Sequence, residues 1–226
     1  MTEKIRVTIL DDHQNIIDGY VFRLSSNPEI EVAATINFGQ DLEPTLAAHS
    51  TDVLLLDVNV PTSADNPNPY PILHEIPKLL QIYAGLNILV ISMYAERGLI
   101  RAVMEAGASG YILKDDQATA RDLGNVVLSV AGGGIYFSQK AHQLYSTHLI
   151  KENDLLTTRQ LEALSLCGAY PNYTTAELAN RMSVSNSTVR NLLSAAYLKL
   201  RVNNRAAAIA RAQQLGLIAS LPQSML

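Results

Sequence analysis

A single cysteine, Cys167, is present among the 226 residues, so no disulfide can form within the chain. No apolar run approaches the roughly 20 residues that a membrane-spanning helix requires. No group of Cys and His residues has the spacing of a zinc site, and the five histidines are interpreted as structural or solvated residues. Because the N-terminus also lacks an apolar leader, we expect a globular protein of the reducing cytoplasm with no membrane contact.

Charge divides the chain into two unlike parts. Residues 1–150 hold 9 basic and 17 acidic side chains, whereas residues 151–226 hold 8 basic and 4 acidic ones. The first part therefore carries a formal charge of −8 and the second a charge of +4. This difference predicts two domains, with nucleic acid as a candidate partner of the second.

The stretch from Val53 to Pro61 contains an unbroken apolar run that ends in one carboxylate, Asp57. A short apolar run bounded by a turn signal predicts a strand that is buried on both faces, as in a parallel sheet. Ligands of open α/β sheets bind at the carboxyl ends of the strands. Asp57 is therefore either a cap of the strand end or a residue of a functional site.

Residues 1–131 alternate short β-branched runs with segments of helical period. The predicted strands cover residues 5–10, 30–36, 53–57, 87–92 and 110–113, with helices between them and a last helix that ends at Gly132-Gly133-Gly134. Five such units predict an α/β domain, a (βα)5 flavodoxin-like doubly wound sheet. Residues 132–153 show no strong period and are interpreted as a linker with some helical content.

Only helical patterns occur from residue 154 to residue 220. Capping threonines and serines predict helices at about 158–167, 176–182 and 186–200, and a fourth helix runs from about 205 to 215. The second and third helices are short and closely linked, as in a helix-turn-helix. We therefore predict a small all-α domain of four helices.

Polar side chains follow four of the five predicted strands. They are Asp11 and Asp12, Asp57, Ser92 and Lys114. Two carboxylates about 4 Å apart repel by roughly 4 kcal/mol at an effective dielectric constant near 20, so a cation is expected among them. Oxygen ligands favour Mg²⁺. A metal and a lysine beside a carboxylate are what phosphoryl transfer to that carboxylate requires, although Ser92 and Lys114 taken singly are also consistent with solvated residues.

At this point the chain resembles a two-component response regulator of the NarL/FixJ type, in which a receiver domain precedes a LuxR-type helix-turn-helix domain. The segments that carry the resemblance are Ile9–His13, Leu56–Pro61, Val90–Ser92, Ala106–Asp115 and Leu156–Gln160. The resemblance covers nearly the whole chain. It implies a DNA-binding transcription regulator, not an enzyme, that a sensor histidine kinase activates.

The resemblance also assigns roles to individual residues. Asp57 would accept the phosphoryl group, and Lys114 would bond its oxygens. Asp11, Asp12, Asp57 and the Asn59 backbone carbonyl would bind Mg²⁺. Ser92 and Tyr111 would form a switch pair, with a strand-end cap and a packed surface ring as the plainer alternatives.

Several positions depart from the family pattern. The loop Thr62–Pro71 is longer and richer in proline than usual, Asn59 replaces a residue that is often apolar, and Met93 stands where a small residue is common. In the second domain, Leu192 replaces a common histidine and the loop Gly168–Tyr173 is about two residues longer. These departures leave the efficiency of phosphorylation and the operator sequence open.

The third helix of the second domain has an apolar stripe and a polar face. The polar face carries Ser187, Arg190, Asn191 and Ser194, which suits contact with base edges in a major groove. The alternative is an ordinary solvated helix face. By resemblance, Thr174 and Thr175 would present backbone N–H groups to phosphate, and Lys199 and Arg201 would add backbone contacts.

The expected partners are therefore a sensor histidine kinase and double-stranded DNA, bound by a homodimer with half-sites about 34 Å apart. Two other functions remain open. One is a regulator of the same domains that works without phosphorylation. The other is a Mg²⁺-dependent phosphohydrolase, which would need a second acid where Asn59 stands.

Overall fold

The computed structural model describes residues 3–146, 156–202 and 204–219. Within these residues, six strands form one parallel sheet in the order β2-β1-β3-β4-β5-β6. The strands are β1 (Ile5–Leu10), β2 (Ile30–Ile36), β3 (Val53–Asp57), β4 (Asn87–Ser92), β5 (Gly110–Leu113) and β6 (Tyr136–Phe137). The five predicted strands and the doubly wound α/β architecture are confirmed.

Helices flank the sheet, and they are the only regular elements among the described residues of the C-terminal part. Those of the first part are α1 (Gln14–Ser25), α2 (Leu42–Ala48), α3 (Ile72–Ile82), α4 (Arg97–Glu105), α5 (Gln117–Arg121), α6 (Leu123–Ala131) and α7 (Gln139–Ser146). Those of the second part are α8 (Thr158–Ala169), α9 (Thr175–Arg181), α10 (Asn186–Leu200) and α11 (Arg205–Gln214). The predicted four-helix arrangement is confirmed. None of the described helices combines the length and the apolar character that a membrane crossing requires.

The apolar run of β3 is buried on both faces of the sheet. Leu54 and Leu56 pack in one apolar cluster, and Val53 and Leu55 pack in the other, as the alternation of side chains along a strand requires. At about 25 cal/mol per Å² of apolar surface, burial of each such leucine contributes roughly 2 kcal/mol before entropy is counted. The strand is thus held firmly, and Asp57 is presented at its carboxyl end.

The sheet continues into the segment that was predicted to be a linker. Residues 136–137 pair with β5, and α7 packs on α4 and β5. A two-residue strand has no measurable period, so the sequence pattern missed it. The last predicted helix of the first part is also divided at Asp122, between α5 and α6. Residues 147–153 of the predicted linker lie outside the described residues.

Candidate functional site

The carboxyl ends of β1, β3 and β5 bring three charged groups together. The Lys114 ammonium donates hydrogen bonds to Asp11 Oδ2 at 2.6 Å and to Asp57 Oδ2 at 2.7 Å. The two aspartates lie about 100 and 60 residues from Lys114 in sequence. They meet because parallel strands end at the same edge of a sheet, as the sequence pattern predicted.

Burial dominates the electrostatics of this cluster. It raises the pKa of Asp57 to about 6, with Lys114 opposing the shift and the neighbouring carboxylate of Asp11 adding to it. Burial also acts to lower the pKa of Lys114, but the carboxylates of Asp57 and Asp11 outweigh it and hold that pKa above its ordinary value. The raised pKa of Asp57 and the raised pKa of Lys114 are consistent with each other, because one ammonium is shared by two buried carboxylates. The ammonium cannot fully offset the cost of burying either carboxylate.

Two further side chains at this edge have buried oxygens with no hydrogen bond among the residues that the structure describes. They are Asp12 Oδ2 and the side-chain oxygen of Asn59, whereas Asp12 Oδ1 lies 2.8 Å from the imidazole Nδ1 of His13. Burial raises the pKa of Asp12. Unpaired buried oxygens beside a carboxylate cluster are the ligands that a hard divalent cation prefers, so the donor set fits Mg²⁺.

Sequence reasoning treated His13 as an ordinary structural or solvated residue. Its Nδ1 lies 2.8 Å from Asp12 Oδ1, and its backbone N–H donates to Asp11 Oδ1 at 3.0 Å. Its side chain is 46% exposed, so it lies at the rim of the cluster. The position of His13 directly after Asp11 and Asp12 was the sequence signal that could have placed it at the cluster. Its imidazole is a weaker match for Mg²⁺ than the oxygens beside it.

Ser92 and Tyr111 lie on the neighbouring strands β4 and β5, two residues apart in register, and both are fully buried. Ser92 Oγ accepts a hydrogen bond from Tyr94 N at 3.0 Å, and the Tyr111 hydroxyl donates to Tyr94 O at 2.8 Å. Both contacts hold the loop after β4. Tyr111 is therefore an interior ring and not a surface one. Met93, on the same loop, is 68% exposed.

Replacing Asp57 by asparagine is expected to stabilise the metal-free protein. The folded-state pKa of about 6 lies above the usual value of 3.8, so ionisation of Asp57 opposes folding, and that penalty grows as the pH rises through 4 to 6. At pH 7.5 with a chelator, we expect Asp57→Asn to raise the free energy of unfolding by about 1–3 kcal/mol. Chemical denaturation measures it, with the exposed Asp65→Asn as the control. A loss of stability would show that the Lys114 contact outweighs the burial.

The helix-turn-helix begins with two caps. The Thr157 and Thr174 side chains each accept from the backbone three residues on, and Gln160 and Glu177 return the bond, which gives two capping boxes. Ser185 Oγ accepts from Thr188 N at 3.1 Å and caps α10 in the same way. These caps define the residues at which α8, α9 and α10 begin.

The polar face predicted for α10 is present. Arg190, Asn191 and Ser194 are exposed, whereas Val189 and Leu193 are buried in the core. Arg201 is exposed at the end of the helix, in a left-handed conformation with φ of 57°. The side chain of Ser187 lies outside what the structure describes.

Three of the predicted DNA contacts are less free than the pattern suggested. Thr174 Oγ1 is engaged in its own helix cap, Thr175 is half-buried, and Lys199 Nζ donates to Gln160 Oε1 at 3.2 Å. Thr174 N also donates to Glu177 Oε2 at 2.7 Å, so both its hydroxyl and its backbone N–H are engaged within the helix cap. Lys199 bonds α8 within the domain, a contact that its place in the sequence did not indicate.

Comparison with known proteins gives a separate result for each part of the chain. The family model described as the response regulator receiver domain matches residues 7–123. The model described as sigma-70, region 4, matches residues 154–202, which span α8 to α10.

Similar proteins match along nearly the whole chain. Transcriptional regulatory protein DesR of Bacillus subtilis is 30% identical over 94% of this chain and 98% of its own length. Transcriptional regulatory protein DegU of Brevibacillus brevis is 29% identical over 91% and 92%. Among solved structures, RcsB of Salmonella enterica serovar Typhimurium, bound to the promoter rprA with a phosphomimetic, covers 92% of this chain and 98% of its own. Its TM-score is 0.66 at 20% identity, which is a likeness of fold.

Proposed function

The chain belongs to the response regulators of the NarL/FixJ type, and we propose that phosphorylation of Asp57 controls how it binds promoter DNA. A receiver domain joined to a helix-turn-helix makes it a DNA-binding regulator that phosphorylation activates. The observation that carries the residue-level proposal is the Lys114 ammonium, bonded at once to Asp57 and Asp11.

Asp57 is the proposed phosphoryl acceptor. A carboxylate oxygen of Asp57 attacks the phosphorus of the donor, an acyl phosphate forms, and the donor's leaving group departs with the bonding electrons and takes up a proton. Asn59 N donates to Asp57 Oδ1 at 3.1 Å and orients the carboxylate. Lys114 then bonds the new phosphoryl oxygens and offsets their charge.

Asp11, Asp12, Asp57 and Asn59 would hold Mg²⁺ beside the acceptor. The ion, when bound, neutralises charge on the phosphoryl oxygens. The buried Asp12 Oδ2 supports this assignment, and the buried, unpaired side-chain oxygen of Asn59 offers a ligand besides the backbone carbonyl of that residue. Without a cation the cluster holds three carboxylates against one ammonium, so we expect Mg²⁺ to stabilise the fold as well.

Ser92 and Tyr111 would report the phosphoryl group to the rest of the molecule. A hydroxyl that turns to the phosphoryl group gives up its bond to Tyr94 N, which frees the loop that Tyr111 also holds. Tyr111 is already buried, so the expected change lies in the loop and α4 more than in the ring.

The proposed division of the chain is a receiver domain at residues 1–131, a connecting segment at 132–153 whose β6 and α7 pack on the receiver domain, and a DNA-binding domain at 154–220. In the DNA-binding domain, α10 would enter the major groove. Arg190, Asn191, Ser194 and Ser187 would read base edges, and Thr174, Thr175, Lys199 and Arg201 would contact phosphates. Two copies would bind two half-sites about 34 Å apart. The proposed phosphodonor is a sensor histidine kinase. The proposed location is the cytoplasm, where the DNA lies.

Selection of DNA from a library of random duplexes tests this function. We expect the full chain with Mg²⁺ and a small phosphodonor to enrich sites that contain two related half-sites one helical turn apart. Asp57→Ala, treated in the same way, should enrich them about 10-fold less or worse, which corresponds to roughly 1.4 kcal/mol. Equal enrichment of the same sites by both proteins would favour the phosphorylation-independent regulator.

The phosphohydrolase alternative has little support at this site. The position two residues after Asp57 holds the amide of Asn59, which supplies no acid to a leaving group. Release of inorganic phosphate from a phosphate ester over many turnovers, lost in Asp57→Ala, would revive it.

A further inference from the structure

Two segments that depart from the family pattern meet at the boundary between the two parts of the chain. The loop Thr62–Pro71 follows β3 in the receiver part. In the helix-turn-helix part, the segment Gly168–Tyr173 was predicted to be a loop, but its first two residues are the last two of α8 and residues 170–173 form the loop. Asn66 Nδ2 donates to Ala169 O at 3.1 Å and joins them directly. Asn66 Oδ1 meanwhile accepts from Asn68 N and Nδ2, so the side chain is oriented by its own loop.

A buried polar pair lies beside this contact. Nδ1 of His74, on α3, lies 3.0 Å from Oε1 of Glu162, on α8. The His74 side chain is 4% exposed and the Glu162 side chain 10%, so water is largely excluded. Burial acts to raise the pKa of Glu162, but its hydrogen bonds from His74 and Arg159 outweigh burial and hold that pKa below its usual value. A buried carboxylate is costly without such partners, so the pair specifies how α8 sits on α3.

Apolar packing continues across the same boundary. Leu73 and Ile76 of α3 belong to the same apolar cluster as Leu164 and Leu166 of α8. The guanidinium of Arg181, on α9, lies 4.2 Å from the centre of the Tyr170 ring, and this contact braces the loop after α8.

We propose that α3 and the loop Thr62–Pro71 form a docking surface for α8 and the loop of residues 170–173 of the same chain. This dock holds the helix-turn-helix in one orientation on the receiver part and leaves its DNA-reading face free.

The position of α10 distinguishes this dock from a mask over the DNA-binding surface. Among the described elements, α10 packs against α8, α9 and α11, and Arg190, Asn191 and Ser194 remain exposed. The dock thus sets the orientation of α10. It thereby limits the distance between the two recognition helices when two copies bind DNA. It does not act by burying the reading residues.

Reciprocal substitution of the buried pair tests the dock. His74→Glu places two carboxylates 3 Å apart, and Glu162→His places two imidazoles there, whereas the double variant restores an acid–imidazole pair across the boundary. A compact globule of this length has a radius of gyration of about 17 Å. In small-angle scattering at monomeric concentration, each single variant should exceed the wild-type value by on the order of a fifth.

The double variant should return to the wild-type radius, and amide exchange in α8 should rise in the single variants and fall again in the double one. A second pair covers the case in which the single variants fail to fold. Asn66→Asp faces Ala169 O with a carboxylate oxygen, whereas Asn172→Asp makes the same chemical change at an exposed site of the opposite loop. Only the first should enlarge the radius. Equal radii in all variants, or a double variant as extended as the single ones, would overturn the dock.

Discussion

Replacing Lys114 by methionine is expected to slow phosphorylation of Asp57 by a small phosphodonor by about 100- to 1,000-fold, the usual effect of removing one charge-stabilising donor. Methionine keeps most of the length of the side chain and removes the ammonium that bonds Asp11 Oδ2 and Asp57 Oδ2. The phosphoryl oxygens would then gain negative charge beside two carboxylates with one fewer cation. Initial rates from intact mass at saturating Mg²⁺ measure the effect.

The choice of pH matters for this comparison. Loss of Lys114 removes the group that opposes the upward shift of the Asp57 pKa, so this pKa should rise above 6 in the variant. Rates are therefore compared at pH 8 or above, which favours the ionised form of Asp57 in both proteins. Lys4→Met, at an exposed lysine, is the matched control and should keep the wild-type rate. A Lys114→Met rate within threefold of wild type would contradict the role of Lys114.

Arg190→Ala is the second substitution with a large expected effect. Arg190 is exposed on α10, and its Nε is held by Asn186 Oδ1 at 3.3 Å, which directs the guanidinium away from the core. Loss of a bidentate base contact costs about 1–3 kcal/mol at each half-site, so binding of a selected site should weaken by at least 10-fold. Titration of a fluorescent duplex at fixed salt measures this loss.

Arg211→Ala, on α11, removes the same charge from a side chain that bonds Gln214. It controls for the general attraction of a basic protein to phosphate. We expect it to weaken selected and unrelated duplexes equally, whereas Arg190→Ala should lose the preference between them. Equal weakening of both duplexes by Arg190→Ala would place its contact on the DNA backbone.

The carboxylate cluster could be anticipated because it depends on one simple rule. A buried parallel strand ends at a defined edge, so Asp11, Asp57 and Lys114 meet there whatever the loops between them do. The four helices of the second part could also be predicted from the sequence, because caps and apolar stripes are local signals. These features depend on residues close together in sequence, or on sheet geometry that the pattern itself specifies.

Contacts between distant elements left no such signal. His74 and Glu162 each look like ordinary polar residues of a helix, and they lie 88 positions apart. The same holds for Asn66, in a loop without a period, and for Ala169, the last residue of α8. The strand at Tyr136–Phe137 is formed by its pairing with β5 and has only two residues, too few to show alternation. Such features depend on tertiary packing, which one sequence does not display.

The measurement that tests the central claim most directly is intact mass after incubation with a small phosphodonor. The account predicts one phosphoryl adduct on the wild-type protein, dependent on Mg²⁺ and absent from Asp57→Ala. The adduct should be lost at neutral pH in hydroxylamine, which cleaves acyl phosphates. Wild-type protein that is folded and binds DNA but gains no adduct, or an adduct that persists in Asp57→Ala, would contradict Asp57 as the phosphoryl acceptor.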